Sequence, residues 1–524
     1  MMPERTITHS WRDAWRAWLR PQVLSMLFLG FSAGIPILLI FSSLSLWLRE
    51  AGIERAAVTY FSWAALGYSF KFVWAPIIDK LPLPLLASLL GQRRGWLLLA
   101  QGAVITAIIW MASVDPASSE HALTMMAFAA VMLGFSAATQ DIVIDAYRIE
   151  AAETDLQAMM SASYIAGYRI GMLVAGAGAL YLAAGFGTSS EAYNYQAWRL
   201  TYLCMAAVML VGVSTTLLIR EPDISASRSR YLHGLSSYLR FLLLFGLMVA
   251  GLIASYLLSQ PVISGLQHWL AANLLNGAMA SFVSEALRLL SAILVALLLG
   301  RAAVGMGLAQ RSLLQETYID PVLEFFRRHG LHTAWILLLL VGFYRISDIV
   351  LGVVANVFYQ DMGFSKEEIA SVTKAFGLLM ILLGGFIGGT LTVRFGVMRM
   401  LLVGALLSAL TNLLFLLLAQ SGHNLPMLAV VIAADNISAG MASAAFVAFL
   451  SSLTNISFTA MQYAIFSSMM TLFPKLLGGY SGGIVDAWGY ENFFILTAVI
   501  GIPVAFLVWY AARRLQAHVD ATRP

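Results

Sequence analysis

Residues 29–52 read LGFSAGIPILLIFSSLSLWLREAG, and no charged side chain interrupts them before Arg49 and Glu50. A helix needs about 20 apolar residues to cross the roughly 30 Å hydrocarbon core of a bilayer. The run around this stretch, 22–48, is long enough. Runs of the same kind follow at 56–78, 94–114, 122–146, 158–184 and 198–219, then at 238–259 and 284–308. Six more lie at 332–358, 367–391, 397–419, 425–451, 458–481 and 491–512. The pattern predicts an all-α membrane protein with about 14 crossings. Composition points the same way: 60% of the 524 residues are hydrophobic and 11% are charged, against roughly one quarter charged in a soluble domain. Mean hydropathy is +0.81. A chain this poor in charge cannot cover a water-facing surface of its size and needs lipid around it.

The charges orient the spans. Arg5, Arg12, Arg16 and Arg20 precede the first run and predict a cytoplasmic N-terminus. Counted loop by loop on that assumption, about 21 of the 31 Lys and Arg fall inside. Only Arg49, Arg55, Arg199 and Lys366 fall outside, and an odd number of spans would scatter the rest. One inner loop is weak: in 147–157, Glu150, Glu153 and Asp155 outnumber Arg148. The net charge of +4 follows from this bias and does not predict a nucleic-acid partner. The first apolar run is too long for a cleavable leader and lacks a small-residue cleavage site. The single cysteine, Cys204, excludes disulfides and multi-cysteine metal sites.

Two halves echo each other. The stretch 341–363, VGFYRISDIVLGVVANVFYQDMG, repeats the opening pattern of a GF pair, an aromatic, a charge and a glycine. The fifth run, QAMMSASYIAGYRIGMLVAGAGAL (157–180), matches MQYAIFSSMMTLFPKLLGGYSGGIV (461–485). Each sets a lone cation, Arg169 or Lys475, 12 to 13 residues after Gln157 or Gln462, with glycines following. The expected organisation is a six-helix half over 1–220 and a linker with two extra helices over 221–310. An amphipathic interfacial helix over 311–330 and a second six-helix half over 331–524 complete it. The extra pair offers one charged pair at depth, Glu285 and Arg288, spaced to neutralise itself on one helix. Glycines cluster at Gly167, Gly171, Gly176 and Gly178 and at Gly384, Gly385, Gly388 and Gly389, for static packing or a sliding seam.

Charges inside spans cost several kcal/mol unless partnered or functional. In SAATQDIVIDAYR (136–148), Asp141, Asp145 and Arg148 share one helical face with Gln140 beside them. Asp145 with Arg148 reads equally as a gate or packing pair near the surface. Asp141 lies deeper and is titratable, which makes it the first candidate for proton coupling, with Asp145 second. Lys71, Arg169, Arg345, Asp348, Lys374, Asp435, Asn436 and Gln462, with Gln140, form the candidate substrate path. Arg345 and Asp348, three residues apart, could instead simply neutralise each other, and Lys374 could snorkel outward. Lys475 follows Pro474, where a broken helix is expected. Intramembrane cations with few anions favour an acidic solute. No phosphate-binding loop, zinc-protease motif or assembled nucleophile set is present, so neither an enzyme nor a bound cofactor or metal is expected.

WAPIIDKL (74–81) with GQRRGW (91–96) resembles the major facilitator signature loop, matching at Asp79, Lys80, Arg93 and Arg94. Its repeat, GGTLTVRFGVMR (388–399), keeps Arg394, Gly396 and Arg399 but lacks the aspartate. A more specific resemblance is to the AmpG family of muropeptide permeases. It is carried by LGFSAGIP (29–36), FKFVWAPIIDK (70–80), RRGWLLLAQ (93–101), SAATQDIVIDAYR, GYRIGMLVAGAGAL (167–180) and GMASAAFVAFLSSLTNISFTAMQYA (440–464). It covers nearly all of the chain except 225–310.

The resemblance implies a major facilitator fold in the bacterial inner membrane with both termini cytoplasmic. It implies import of N-acetylglucosaminyl-1,6-anhydro-N-acetylmuramyl peptides, driven by protons, for wall recycling and β-lactamase induction. It also implies that Gln140, Asp141, Asp145 and the Arg169 segment belong to the functional core. Asp79, Lys80, Arg93, Arg94, Arg148, Arg394 and Arg399 are the expected gating and signature-loop residues. A monomer in lipid, with the sugar-peptide and protons as partners, is the expected working unit. Asp435 stands where the family pattern leads one to expect a glutamate. A permease for another bulky anion such as acetyl-CoA, and a membrane-embedded wall enzyme, are the alternatives.

Overall fold

The computed structural model describes residues 16–53, 68, 71–189, 192–222, 235–273, 277–307, 315–478 and 481–521. Among them every regular element is a helix. Ten helices are long and apolar enough to cross a membrane, or eleven when one bent pair is joined. Most of the span expected at 56–78 lies outside the described residues. Its end emerges as a tight turn, Lys71–Val73, followed by a short helix.

The first half contains α1 (Pro21–Glu50), α2 (Ala75–Lys80), α3 (Gln92–Ala112), α4 (Glu120–Ala151), α5 (Thr154–Leu173) and α6 (Tyr195–Leu218). Between the halves come α7 (Leu235–Leu258), α8 (Gln260–Asn273), α9 (Gly277–Gly305) and α10 (Asp320–His329). The second half contains α11 (Leu331–Asp361), α12 (Ser371–Phe395), α13 (Val397–Ser421), α14 (Leu425–Leu453), α15 (Thr459–Gly478) and α16 (Ser481–Ala521). Each half has its own apolar core, one around Trp47, Met111 and Trp198 and one around Phe358, Phe415 and Phe494.

The helices are interrupted where the sequence removes or strains a backbone bond. Pro36 lacks an N–H, and just beyond it α1 widens into a π turn, Leu39–Ser43. A matching π turn, Val174–Gly178, carries α5 on to Gly185. The two turns touch, and the Ser43 hydroxyl donates to the Ala175 carbonyl at 2.7 Å. A third π turn, Ala370–Phe376, opens α12. α11 breaks at Tyr344 and Arg345. α16 turns sharply at Gly489, whose φ of 77° suits a residue without a Cβ. The break expected at Pro474 is not found, because α15 continues through it to Gly478. Proline is tolerated inside membrane helices when neighbouring groups satisfy the freed carbonyl.

The glycine clusters divide by face. α1 and α5 meet backbone to backbone, so a Cβ on Gly30 would lie 2.1 Å from the Tyr164 carbonyl oxygen and one on Gly167 would lie 1.8 Å from that of Leu27. In the second half Gly384, Gly388 and Gly440 do the same between α12 and α14. Gly385 and Gly389, one residue round the helix, instead face Ala162 and Met159 of α5 in the other half. Two glycines of the α12 cluster therefore pack their own half and two line the junction. Gly167→Ala should force α1 and α5 apart, at about 1–3 kcal/mol or more. A melting temperature in detergent unchanged from the parent would contradict this.

Ser229–Glu324 is a compact unit of its own, separate from Met1–Arg228 with Phe325–Pro524. Within it α7 and α9 pack through Leu244 and Ala303, and α8 leaves α7 at a bend of 49°. The stretch between the two expected runs, 260–283, is thus itself largely helical. Arg288 stacks 3.9 Å over the Tyr256 ring and donates from Nε to the Tyr256 carbonyl at 2.9 Å. That carbonyl lies in the last turn of α7, where a cation meets the negative end of the helix. The side chain of Glu285, its expected partner, lies outside the described residues. In α10, Phe325 is buried against Phe466 of α15, while Leu313 and Leu314 of the expected amphipathic face lie outside the described residues.

Candidate functional site

One end of the bundle is sealed by charge. Arg93, at the start of α3, has no exposed surface. It holds Glu150 in a two-pronged pair, with Nε–Oε2 at 2.9 Å and Nη2–Oε1 at 2.5 Å. The same Nη2 lies 2.7 Å from Asp79 Oδ1. Asp79 in turn accepts from the backbone N–H groups of Ala460 at 3.1 Å and Met461 at 3.0 Å. These open α15, so a carboxylate of the first half caps a helix N-terminus of the second, where unpaired N–H groups and the helix dipole favour an anion. Lys80 lies 4.8 Å above the Phe458 ring.

Beside this lock Arg148 bridges the halves again. Its Nη1 donates to Ser451 Oγ at 2.8 Å and Gln157 Oε1 at 2.9 Å, and the guanidinium lies over the Tyr463 ring at 5.1 Å. Asp145 sits between Arg148 at 3.4 Å and Lys71 at 3.5 Å. Trp18 adds a bond to Thr390 at 3.0 Å. Arg94 serves its own half: it donates to the Thr216 and Leu217 carbonyls at the end of α6. The Glu221 carboxylate accepts the N–H groups of Arg93 and Arg94 and caps α3.

Away from the sealed end the halves part around a cavity of about 350 Å3. Leu38, Arg169, Met172, Leu173 and Ala177 line it from the first half, and Thr373, Lys374, Leu378, Ile381 and Asn436 from the second. Arg169 stands 15 residues beyond the start of α5, roughly 22 Å along the axis. Its described contact is the Met172 sulfur at 4.0 Å, and no carboxylate pairs with it among the described residues. Lys374 and Thr373 are presented by the π turn that opens α12. Two cations from opposite halves thus face one space lined by both polar and apolar side chains.

Asp141 lies between the lock and the cavity. The Tyr164 hydroxyl donates to its Oδ1 at 3.2 Å, and Lys71 and Asp145 are the charges closest in effect. In the second half Arg345 Nε lies 3.0 Å from Asp348 Oδ2, and Asp435 accepts from Thr411 at 3.4 Å.

The structure brings Asp79, Lys80, Arg93 and Arg148 to the lock, and Arg169, Lys374 and Asn436 to the cavity. Other expected groups go elsewhere. Lys71 is turned to Asp145 rather than to the cavity. Gln140 is fully buried, 3.4 Å from Ser32 Oγ. Gln462 accepts the Asn455 N–H at 2.7 Å and closes the turn before α15, as Gln157 closes the turn before α5. The repeat expected from those two glutamines is thus a shared turn-closing device. Arg394 lies over its neighbour Phe395, and Arg399 is exposed. The second signature loop lacks an aspartate, so it has no anion to place on a helix N-terminus. Glu150, Glu221, Ser451 and Tyr463 were not singled out by the sequence. Glu150 had left a signal, as an acid in an inner loop where cations were expected.

Comparisons with known proteins agree with this geometry. The profile described as Major Facilitator Superfamily matches residues 334–524, and that described as Acetyl-coenzyme A transporter 1 matches 22–185. The fold is similar to that of the fucose:proton symporter FucP of Escherichia coli, with a TM-score of 0.57 at 10% identity over 94% of this chain and 99% of that one. It is also similar to the proton:xylose symporter XylE, with a TM-score of 0.54 at 13% identity over 95% of each chain. The fold is of the major facilitator type, and fold and relatives together support a multi-pass inner-membrane transporter rather than an enzyme. Its similarity along almost the whole chain is to AmpG-type permeases. The putative transporter AmpG 4 of Rickettsia felis is 29% identical over 94% of this chain and 97% of its own length. The anhydromuropeptide permease of Escherichia coli K12 is 26% identical over 96% of this chain and 82% of its own length.

Proposed function

We propose that this protein imports acidic sugar-peptides of the anhydromuropeptide class into the cytoplasm, driven by the proton gradient. The observation that carries the reading is the cavity between the halves, into which Arg169 projects with no described carboxylate partner. A desolvated cation with no carboxylate partner is costly in a bilayer and is stabilised by an anionic solute. The peptide stem of a muropeptide supplies carboxylates, and its sugars supply hydroxyl and amide groups for Thr373 and Asn436 and apolar ring faces for the leucines. Lys374 and Asn436 would contact the same solute from the second half.

The expected inner-loop cations support an orientation with the Arg93 lock, and both termini, on the cytoplasmic side. With that end sealed, the described state is the one that receives solute from outside. Asp141, behind the cavity and beside Lys71 and Tyr164, is the coupling carboxylate of the first half. The working unit is one chain, since a single chain encloses the cavity.

Everted and right-side-out vesicles fed labelled N-acetylglucosaminyl-1,6-anhydro-N-acetylmuramyl tripeptide test the reading. Accumulation that a protonophore abolishes supports it. Failure of the wild type to accumulate the tripeptide overturns it. Asp141→Asn should insert normally yet fail to accumulate substrate; normal accumulation with unchanged pH dependence would contradict its role. The match of residues 22–185 to the acetyl-CoA transporter profile favours a second reading, a phosphorylated anion in the same cavity. Competition of the labelled tripeptide by acetyl-CoA at micromolar levels would move the assignment there.

A further inference from the structure

The second half holds two carboxylates around one guanidinium. Arg345 stands at the break of α11, where its Nε reaches Asp348 Oδ2 at 3.0 Å but makes no well-directed hydrogen bond. Its Nη1 donates to Ser443, and Asp348 also accepts from the Ser408 hydroxyl. Asp435 of α14 shares this field. Asp348 and Arg345 are the charges that act on it, Tyr359 of α11 faces it, and Thr411 of α13 donates at 3.4 Å. No cation lies within ion-pair distance of Asp435 among the described residues.

With both acids ionised the cluster carries one net negative charge inside a low-dielectric bundle, and a single bound proton removes it. Asp348 has the cation and a hydroxyl. Asp435 has one long hydrogen bond and is the weaker-held anion. It also does not line the cavity: its neighbour Asn436 does, about 100° round the helix, while Asp435 contacts α13. It is therefore poorly placed to bind solute and well placed to bind a proton.

We infer that Asp348 and Asp435 together form a second proton-binding site, with the proton on Asp435, distinct from Asp141. Asp435 lies ten residues from the Leu425 end of α14 and Asp141 ten residues from the opposite, Ala151 end of α4. Each is roughly 15 Å in from its own side. The two sites thus stand at staggered depths. The Asp435 carboxylate takes its proton from water on the cavity side and returns it to water when the other side opens, so each cycle moves two protons. The two-proton cycle rests on the transport reading above; the protonation of Asp435 does not.

Two measurements test it. Infrared spectra of purified protein at neutral pH need no substrate. The C=O stretch of a protonated carboxylic acid should be present in the wild type and in Asp141→Asn. It should be lost in Asp435→Asn and in Asp348→Asn, since either change leaves one carboxylate for one guanidinium. Spectra in which neither variant loses the band overturn the site. In vesicles with the membrane potential clamped at zero, each coupled proton contributes a factor of ten in accumulation per pH unit. The slope of log accumulation of the labelled tripeptide against imposed pH difference should be about two in the wild type and about one in Asp435→Asn. Exchange of labelled for unlabelled tripeptide at equal pH should persist in that variant. Equal slopes, or loss of exchange in a variant that still melts like the parent, overturn the second proton. A wild type that accumulates no tripeptide would sink the substrate assignment while leaving the infrared result to decide the site.

Discussion

Arg93→Met is expected to destabilise the protein by about 3–5 kcal/mol, the cost of leaving buried charge without its partner. Arg93 has no exposed surface, and the Glu150 side chain it holds is equally buried. Methionine fills similar space but leaves Glu150 and Asp79 without the guanidinium that bridges them. Asp79 then loses the partner that fixes it on the first turn of α15. The expected readout is a fall of several degrees in the melting temperature in detergent. Adding Glu150→Leu and Asp79→Asn should recover a large part of it, because removing all the charges is far less costly than removing one. A single variant that melts with the parent would show that the lock contributes little. In transport, the triple variant should still lose the sealed end, since Asp79→Asn puts a neutral amide where the helix terminus favours an anion.

Arg169→Ala should raise the half-saturating concentration of substrate by roughly ten- to hundredfold. That corresponds to losing one charge-assisted hydrogen bond of about 1.5–3 kcal/mol. Arg169→Lys should lose less, because a carboxylate accepts a point charge as well as a fork, with only the paired geometry gone. With no described carboxylate on Arg169, the alanine change is mild for folding: no buried acid is stranded by it. A variant that expresses and melts like the parent but transports poorly is the expected result. Equal transport by the alanine and lysine variants would place Arg169 outside the substrate path.

What the sequence determined by itself was set by length and solvent. Runs near 20 residues without charge can be satisfied only as membrane helices, because a bilayer offers no partner for a free N–H or C=O. The placement of Lys and Arg likewise predicts which loops face inward, without reference to packing. The motif at 74–96 marked the right loop for the lock, since Asp79 and Arg93 are local to it. Tertiary structure alone decided what each charge does, because partners 57 to 382 residues away choose it. Arg93 meets Glu150, Asp79 meets Met461, and Arg148 meets Ser451 across the junction. Lys71 and Arg169, alike as lone cations in apolar runs, separate for the same reason. One finds Asp145 opposite it and is neutralised; the other faces a cavity with no described anion. Periodicity places a side chain on a helix face, but the neighbour across that face is fixed only when the helices pack.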